Sequence, residues 1–312
     1  MAQPLVSIVI PTYNEAEDIA RTLDACLAIK YPNKEIIVVD DSDDTTPEVV
    51  AGYRGAGVQL IHRDENDGGR SGARNEGIRR SRGEIVVILN ADVFPKPDFL
   101  DRVLPHYEHD MDFVLVESEV ANLDRLFARY NEAMHRRTYG GQEWVDWTEG
   151  FSCRREAALR VGMFPTPPIT IMAGEDNYFS RKLTKAGYRK VIDRSICVPH
   201  IAPARLGDYW SAQKIRTFPP TGYFLERQSL GYLTLKAPVK TLRALFRVLL
   251  VVPQAIEAWT LSGHSPRGRA DWLPFWWAGA VREAAIVYGE WQGLLLLWRW
   301  YIREGPVPAQ VW

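Results

Sequence analysis

Residues 86–94 read VVILNADVF, an apolar run from Val86 to Leu89 that breaks sharply at Asn90-Ala91-Asp92. A short apolar run rich in β-branched residues reads as a strand buried on both faces, and the break marks where it leaves the sheet. Gly83 before it and Pro95-Lys96-Pro97 after it bound the element. Working outward, LVSIVIPTYN (5–14) and KEIIVVDD (34–41) repeat the pattern, each an apolar run ending in polar or acidic residues. Between them Ile19, Leu23, Cys26 and Leu27 recur at helical spacing. NDGGRSGARNEGI (66–78) is Gly-rich punctuation whose second half reads as a helix. Strands alternating with helices predict right-handed βαβ units and a doubly wound sheet. Such sheets bind ligands outside the carboxyl ends of their strands. Pro11-Thr12-Tyr13, Asp40-Asp41 and Asn90-Ala91-Asp92 all fall at such ends, so three strand ends aim polar groups at one crevice.

The chain has 312 residues, 46% hydrophobic and 25% charged, within the range of a folded globular protein. Its formal net charge of −1 gives no general basic field, so no nucleic-acid partner is expected. The charge is uneven. From His200 onward stand 13 of the 38 Lys+Arg and 7 of the 39 Asp+Glu, a net of +6 behind a front of −7. Nine of the 11 tryptophans also lie after residue 200. Cys26, Cys153 and Cys197 are far apart and match no zinc spacing, which predicts reduced thiols in an intracellular compartment. The first residues show no basic stretch leading into a long apolar run, so no secretory signal is expected.

After residue 205 the texture changes, which predicts a division into 1–205 and 206–312. In PVKTLRALFRVLLVVPQAIEAWTL (238–261), Lys240, Arg243 and Arg247 share one helical face, and Leu242, Leu245, Phe246, Leu249 and Val252 line another. A second Trp-rich segment, DWLPFWWAGAVREAAIVYGEWQGLLLLWRWYIR, follows at 271–303. No window of about 18 uncharged apolar residues exists, so a clean spanning helix is not expected. Basic amphipathic, Trp-rich helices fit a membrane interface, as a peripheral or monotopic attachment. The other readings are a helical subdomain packed on the sheet and a homo-oligomer interface.

Four motifs in order carry a family resemblance: VSIVIPTYNE (6–15), EIIVVDDSDDTT (35–46), GARNEGI (72–78) with LNADVFPKPDFL (89–100), and GEDNYFSRKLTKAGYR (174–189). Over roughly residues 5 to 200 the chain resembles the membrane-associated type of family 2 glycosyltransferases, inverting enzymes of the GT-A fold that use nucleotide-sugar donors. The resemblance implies a Rossmann-like, doubly wound mixed sheet carrying the catalytic site, followed by a Trp-rich amphipathic helical region.

Roles follow from the resemblance together with residue chemistry. Pro11, Tyr13 and Glu15 would wall the nucleotide base. Asp41 would accept a hydrogen bond from a base N–H, as the second acid of this pair does in the family, or else cap the turn DSDD. Arg74 has the fork that pairs with a diphosphate, or makes a surface salt bridge. Asp92 would ligate Mg²⁺ or Mn²⁺, which one or two carboxylates plus phosphates typically hold. The family usually has Asp-x-Asp here. Asn90 stands in the first position, accepting from a ribose hydroxyl, or marking a turn, or marking a site that binds without catalysis. Asp176 matches the catalytic base with Glu175 orienting it, and Gly174 permits an unusual backbone turn before them. Trp147, Glu149 and Gly150 would line the acceptor cleft, and His200 is either a metal ligand or structural. QKIRTF (213–218) resembles a Gln-x-x-Arg-Trp motif, with Gln213 on the acceptor side, Arg216 at the diphosphate and Thr217 where Trp is expected.

The reading is an inverting transfer of a sugar from a UDP- or GDP-linked donor to a lipid-linked acceptor at the cytoplasmic membrane face, in polysaccharide or glycolipid synthesis. The alternatives are a soluble polysaccharide or protein acceptor, and a non-catalytic nucleotide-sugar-binding protein.

Overall fold

A computed structural model describes residues 3–64, 67–140, 149–171 and 173–306. Among these residues lie seven strands and twelve α-helices. The strands are β1 (Val6–Thr12), β2 (Lys34–Asp40), β3 (Val58–His62), β4 (Ile85–Ile88), β5 (Phe113–Val120), β6 (Phe151–Arg154) and β7 (Lys190–His200). The helices are α1 (Ile19–Leu27), α2 (Thr46–Ala51), α3 (Gly69–Arg80), α4 (Phe99–Glu108), α5 (Leu126–Tyr139), α6 (Arg155–Arg160), α7 (Glu175–Lys185), α8 (Leu206–Lys214), α9 (Pro219–Phe224), α10 (Leu230–Leu249), α11 (Val252–Ser262) and α12 (Trp272–Glu304). By contact the chain forms two compact units: Met1–Glu119, Glu143–Thr170 and Glu175–His200 in one, Val120–Gln142, Ile171–Gly174 and Ile201–Trp312 in the other.

The first unit is built on one mixed sheet ordered β3-β2-β1-β4-β6-β5-β7. Strands β1 to β4 are parallel, and β6 runs antiparallel to both β4 and β5. Every residue of β1 and β4 is buried, as apolar runs covered on both faces require. Alternation sorts their side chains between two cores. Ile8, Ile10, Val87 and Leu89 join α1 and α4 on one face, while Val9, Val86 and Ile88 join α6 and α7 on the other. The parallel register sets Thr12 beside Asp40, so the polar ends of β1 and β2 finish level.

The second unit is helical. Phe127 stacks on Tyr209 with ring centroids 4.3 Å apart, and Tyr130 meets Phe275 edge-on. At the start of α12, Arg129 donates from Nε to Asp271 Oδ2 at 2.7 Å and from Nη2 to Oδ1 at 3.0 Å, with both side chains buried. Two cations of the basic face of α10 point into this unit, while Arg243 is exposed: Lys240 Nζ meets Glu290 Oε2 at 2.6 Å, and Arg247 pairs with Glu257 and Glu283.

Candidate active site

The end of β1 and the loop after β2 are locked to each other. Asp40, fully buried, accepts from Thr12 Oγ1 and Ser42 Oγ at 2.6 Å each, and its Oδ2 lies 2.8 Å from His62 Nδ1. Asn14, in the left-handed region at φ 57°, receives Asp43 N–H at 3.1 Å on its side chain and donates its own N–H to Ser42 Oγ at 2.8 Å. This clasp leaves Pro11 buried and Tyr13 half exposed, at 51%. Asp41 carries Arg63 in a two-pronged pair, Nε to Oδ1 at 2.6 Å and Nη2 to Oδ2. Arg63 leaves β3 one residue after its end, and nothing in its sequence neighbourhood marked it.

At the end of β4, the loop carrying Asp92 is stitched to β7. Val93 bridges antiparallel to His200, and Phe94 N–H donates to Pro199 O at 2.8 Å. The stitch brings Asp92 and His200 within electrostatic reach of each other, each with a buried side-chain atom, Oδ1 and Nδ1, that has no hydrogen-bond partner. Burial pushes the Asp92 carboxyl up to about 6, with His200 and Arg70 pulling it down and Glu149 pushing it up. Burial and the Asp92 charge likewise push Glu15 up to about 7 against Arg70. Arg70, exposed in the first turn of α3, is thus a cation facing both acids, and the sequence reading missed it.

Arg74 is fully buried. Its Nη1 donates to Glu175 Oε1 at 3.0 Å and its Nη2 to Asn90 Oδ1 at 3.1 Å, while Phe164 lies under the guanidinium 5.1 Å away. Asn90 passes the chain on, donating from Nδ2 to Glu149 Oε1 at 3.4 Å. The amide orientation follows from its partners, since a guanidinium only donates and a carboxylate only accepts. Asp176 sits beside Glu175 in the first turn of α7, after Gly174 at φ 89°. Burial, then the Glu175 charge, push Asp176 up to about 7, with Arg74 opposing and Glu149 adding to the rise. Gly150 follows Glu149 at φ 77°, where a Cβ would come within 2.6 Å of Val116 Cγ2.

The structure therefore brings Glu15, Asn90, Asp92, Glu149, Glu175, Asp176, Arg74 and His200 into one charged constellation in the first unit. Gln213 and Arg216 belong to the second unit, where Gln213 is buried and donates to Asn131 Oδ1 at 3.4 Å, and Arg216 is exposed. Trp147 lies outside the described residues.

With this geometry in place, the sequence model of "Glycosyl transferase family 2" matches residues 7–165, more than half of the chain. The chain belongs to glycosyl transferase family 2. Among its relatives, Glycosyltransferase AglE of Haloferax volcanii is 31% identical over 212 residues, 65% of this chain and 68% of that protein. Poly-beta-1,6-N-acetyl-D-glucosamine synthase of Staphylococcus aureus is 26% identical over 223 residues, 68% of this chain and 53% of the synthase. The mannosyltransferase PcManGT of Pyrobaculum calidifontis, solved in complex with GDP-Man and Mn²⁺, superposes with a TM-score of 0.54 at 21% identity, covering 99% of this chain and 78% of that one. That likeness establishes the GT-A fold, as the sequence predicted. This family 2 glycosyltransferase is an enzyme of sugar transfer. The matched segment holds the ends of β1, β2 and β4 with Arg74 and Glu149, while Glu175, Asp176 and His200 lie beyond it.

Proposed function

We propose that the enzyme transfers a sugar with inversion from a UDP- or GDP-linked donor to a lipid-linked acceptor at the cytoplasmic face of a membrane. One observation carries the reading. Arg74 ties Asn90, at the donor end of β4, to Glu175, beside Asp176, so the strand-end crevice and the proposed base belong to one hydrogen-bonded constellation. The donor classes rest on likeness in fold to PcManGT, solved with GDP-Man, and to TarS of S. aureus, solved with UDP-GlcNAc.

In this reading the acceptor hydroxyl oxygen attacks C1 of the sugar as the bond from C1 to the diphosphate oxygen breaks. Asp176 takes the hydroxyl proton, a task suited to a carboxylate whose affinity for protons lies near neutrality. Glu175, fixed by Arg74, orients that helix start. Arg70 meets the diphosphate from the exposed first turn of α3. Arg74, enclosed and engaged with two partners, serves as the brace between donor and base rather than as a clamp on the donor. Tyr13, Pro11 and the Asp41–Arg63 pair wall the base, and Glu149 and Gly150 face the acceptor. Asn90 is assigned to holding Glu149 and Arg74, a task for which its amide both accepts and donates.

A divalent ion fits Asp92 and His200. Their unpartnered, buried Oδ1 and Nδ1 are available as metal ligands, and the surrounding acids favour a cation. Among the described residues no three His, Cys, Asp or Glu side chains converge on one point, so the remaining ligands would be phosphate oxygens and water, as Mg²⁺ and Mn²⁺ accept. Such an ion supplies charge neutralisation for the departing diphosphate.

Calorimetric titration of UDP and GDP with Mn²⁺, and again with EDTA, tests the reading. Metal-dependent binding of one nucleotide is expected. Binding of neither removes the donor assignment, and binding indifferent to EDTA removes the metal.

A further inference from the structure

Helix α10 is amphipathic the wrong way round for a helix in water. Its inner stripe, spaced four and three residues apart, runs Leu233, Ala237, Lys240, Ala244 and Arg247. The two cations on it are spent on acids of the same unit, Glu290, Glu257 and Glu283, and Glu290 is buried. The outer stripe at the same spacing runs Leu235, Val239, Leu242, Phe246 and Leu249, with Leu235 and Leu249 each 73% exposed. Helix α12 repeats the arrangement with exposed Tyr288, Trp291, Leu295, Trp298 and Ile302, again four and three apart.

The two stripes are neighbours, joined antiparallel by indole hydrogen bonds. Trp291 Nε1 donates to Thr241 Oγ1 at 2.9 Å and Trp298 Nε1 to Thr234 Oγ1 at 3.0 Å. Each of those hydroxyls in turn donates to a carbonyl of its own helix, Ala237 O and Leu230 O. Exposed Trp272 likewise donates to Ala255 O at 3.1 Å. Water would satisfy an exposed indole N–H without help. Here three of them are turned inward, so that mainly carbon faces out. That is the arrangement required where the solvent offers no hydrogen bonds.

Between α10 and α11 the chain turns through 77° at Leu250 and Val251, which with Leu249 and Val252 form an exposed apolar corner. No single described helix is long and apolar enough to cross a bilayer, but these two pass that test together as a bent pair. Helix α10 contains no acidic residue, and its exposed cation, Arg243, has a stem long enough to reach headgroups.

We propose that the outer stripes of α10 and α12 and the Leu249–Val252 corner enter the hydrocarbon of one bilayer leaflet as a monotopic wedge, deeper than headgroup contact. The proposal rests on the lipid-linked-acceptor reading for its purpose and names the surface that would bring the enzyme to that acceptor.

The test is co-sedimentation of the full chain with vesicles of pure phosphatidylcholine and of phosphatidylcholine mixed with phosphatidylglycerol. Binding to the neutral vesicles that survives about 0.5 M NaCl is expected, because burial in hydrocarbon is not screened by salt. Leu242→Asp with Phe246→Asp, both on the exposed stripe, should lower the partition at least about tenfold with an unchanged circular dichroism spectrum. Leu206→Asp, exposed on α8, should leave it unchanged. Failure to bind neutral vesicles, release by salt, or equal binding by the double variant overturns the proposal. So does a discrete lipid-free dimer that ignores vesicles and is broken by the double variant, which would make the face a contact between copies. Nucleotide titration on the same samples separates the readings, since vesicle binding without nucleotide binding sinks only the donor assignment.

Discussion

Asn90 shows how one side chain decides what its neighbours do. Its carbonyl oxygen takes Arg74 and its amino group gives to Glu149, so it joins a cation to an anion without adding charge. An aspartate there would keep the first bond, lose the second and set two carboxylates about a hydrogen-bond length apart, where one is driven to hold a proton. Asn90→Asp should therefore lower turnover at neutral pH by about tenfold, one pKa unit's worth of free energy. Initial rates would check it, and an equal or faster variant would remove Asn90 from the brace. Asp176→Asn should cost about a hundredfold or more in turnover while leaving nucleotide affinity nearly unchanged. With Asp176 pushed up to about 7, turnover of the parent enzyme should rise with pH to a plateau above neutrality if Asp176 is the proposed base, which must be ionised to accept a proton. That limb should vanish in the variant's residual activity. The sequence placed Asp92, Asp176 and Asn90 at strand or helix ends, because apolar runs stop visibly. It did not reveal that Arg74 is enclosed, since its partners stand 16 and 101 positions away.

Among the elements, β1, β2 and β4 were legible because strands covered on both faces are nearly continuous apolar runs. The insertion of β6 between β4 and β5 was not. FSCR is four residues long and its place depends on pairing with Val86 and Phe113, which no local pattern announces. On α10, periodicity separated a basic face from an apolar one but gave no direction, and the acids that draw the basic face inward lie mostly on α12. The start of α12 depends on a buried pair. Burial works against the Asp271 charge, and hydrogen bonds from Arg129 and Ser265 outweigh it, holding the carboxyl below its usual range. Arg129→Met should therefore destabilise the second unit by about 3–5 kcal/mol, because it leaves a buried charge alone. Adding Asp271→Leu should restore much of that loss. Thermal unfolding of both variants tests this, and a single variant within about 1 kcal/mol of the parent would show that water reaches the pair.

At the scale of the whole molecule, the first unit holds an unbalanced group of acids. Glu15 moves from 4.5 to about 7, Asp92 from 3.8 to about 6 and Asp176 from 3.8 to about 7, each chiefly through burial. The folded state thus binds these protons more tightly than the unfolded chain does. The associated stability is fully present below the unfolded values and is lost as pH rises through the folded ones. For the ligand-free enzyme, the melting temperature should fall between about pH 4.5 and pH 7.5, by about 2–4 °C for each kcal/mol involved. A divalent cation with nucleotide favours the ionised acids, so it should raise the melting temperature more at the upper end of that range than at the lower. Thermal scans with and without Mn²⁺ and nucleotide would measure both slopes. A ligand-free profile that rises across the range would mean that Arg70 and Arg74 already neutralise the acids, which would remove the electrostatic argument for a metal here.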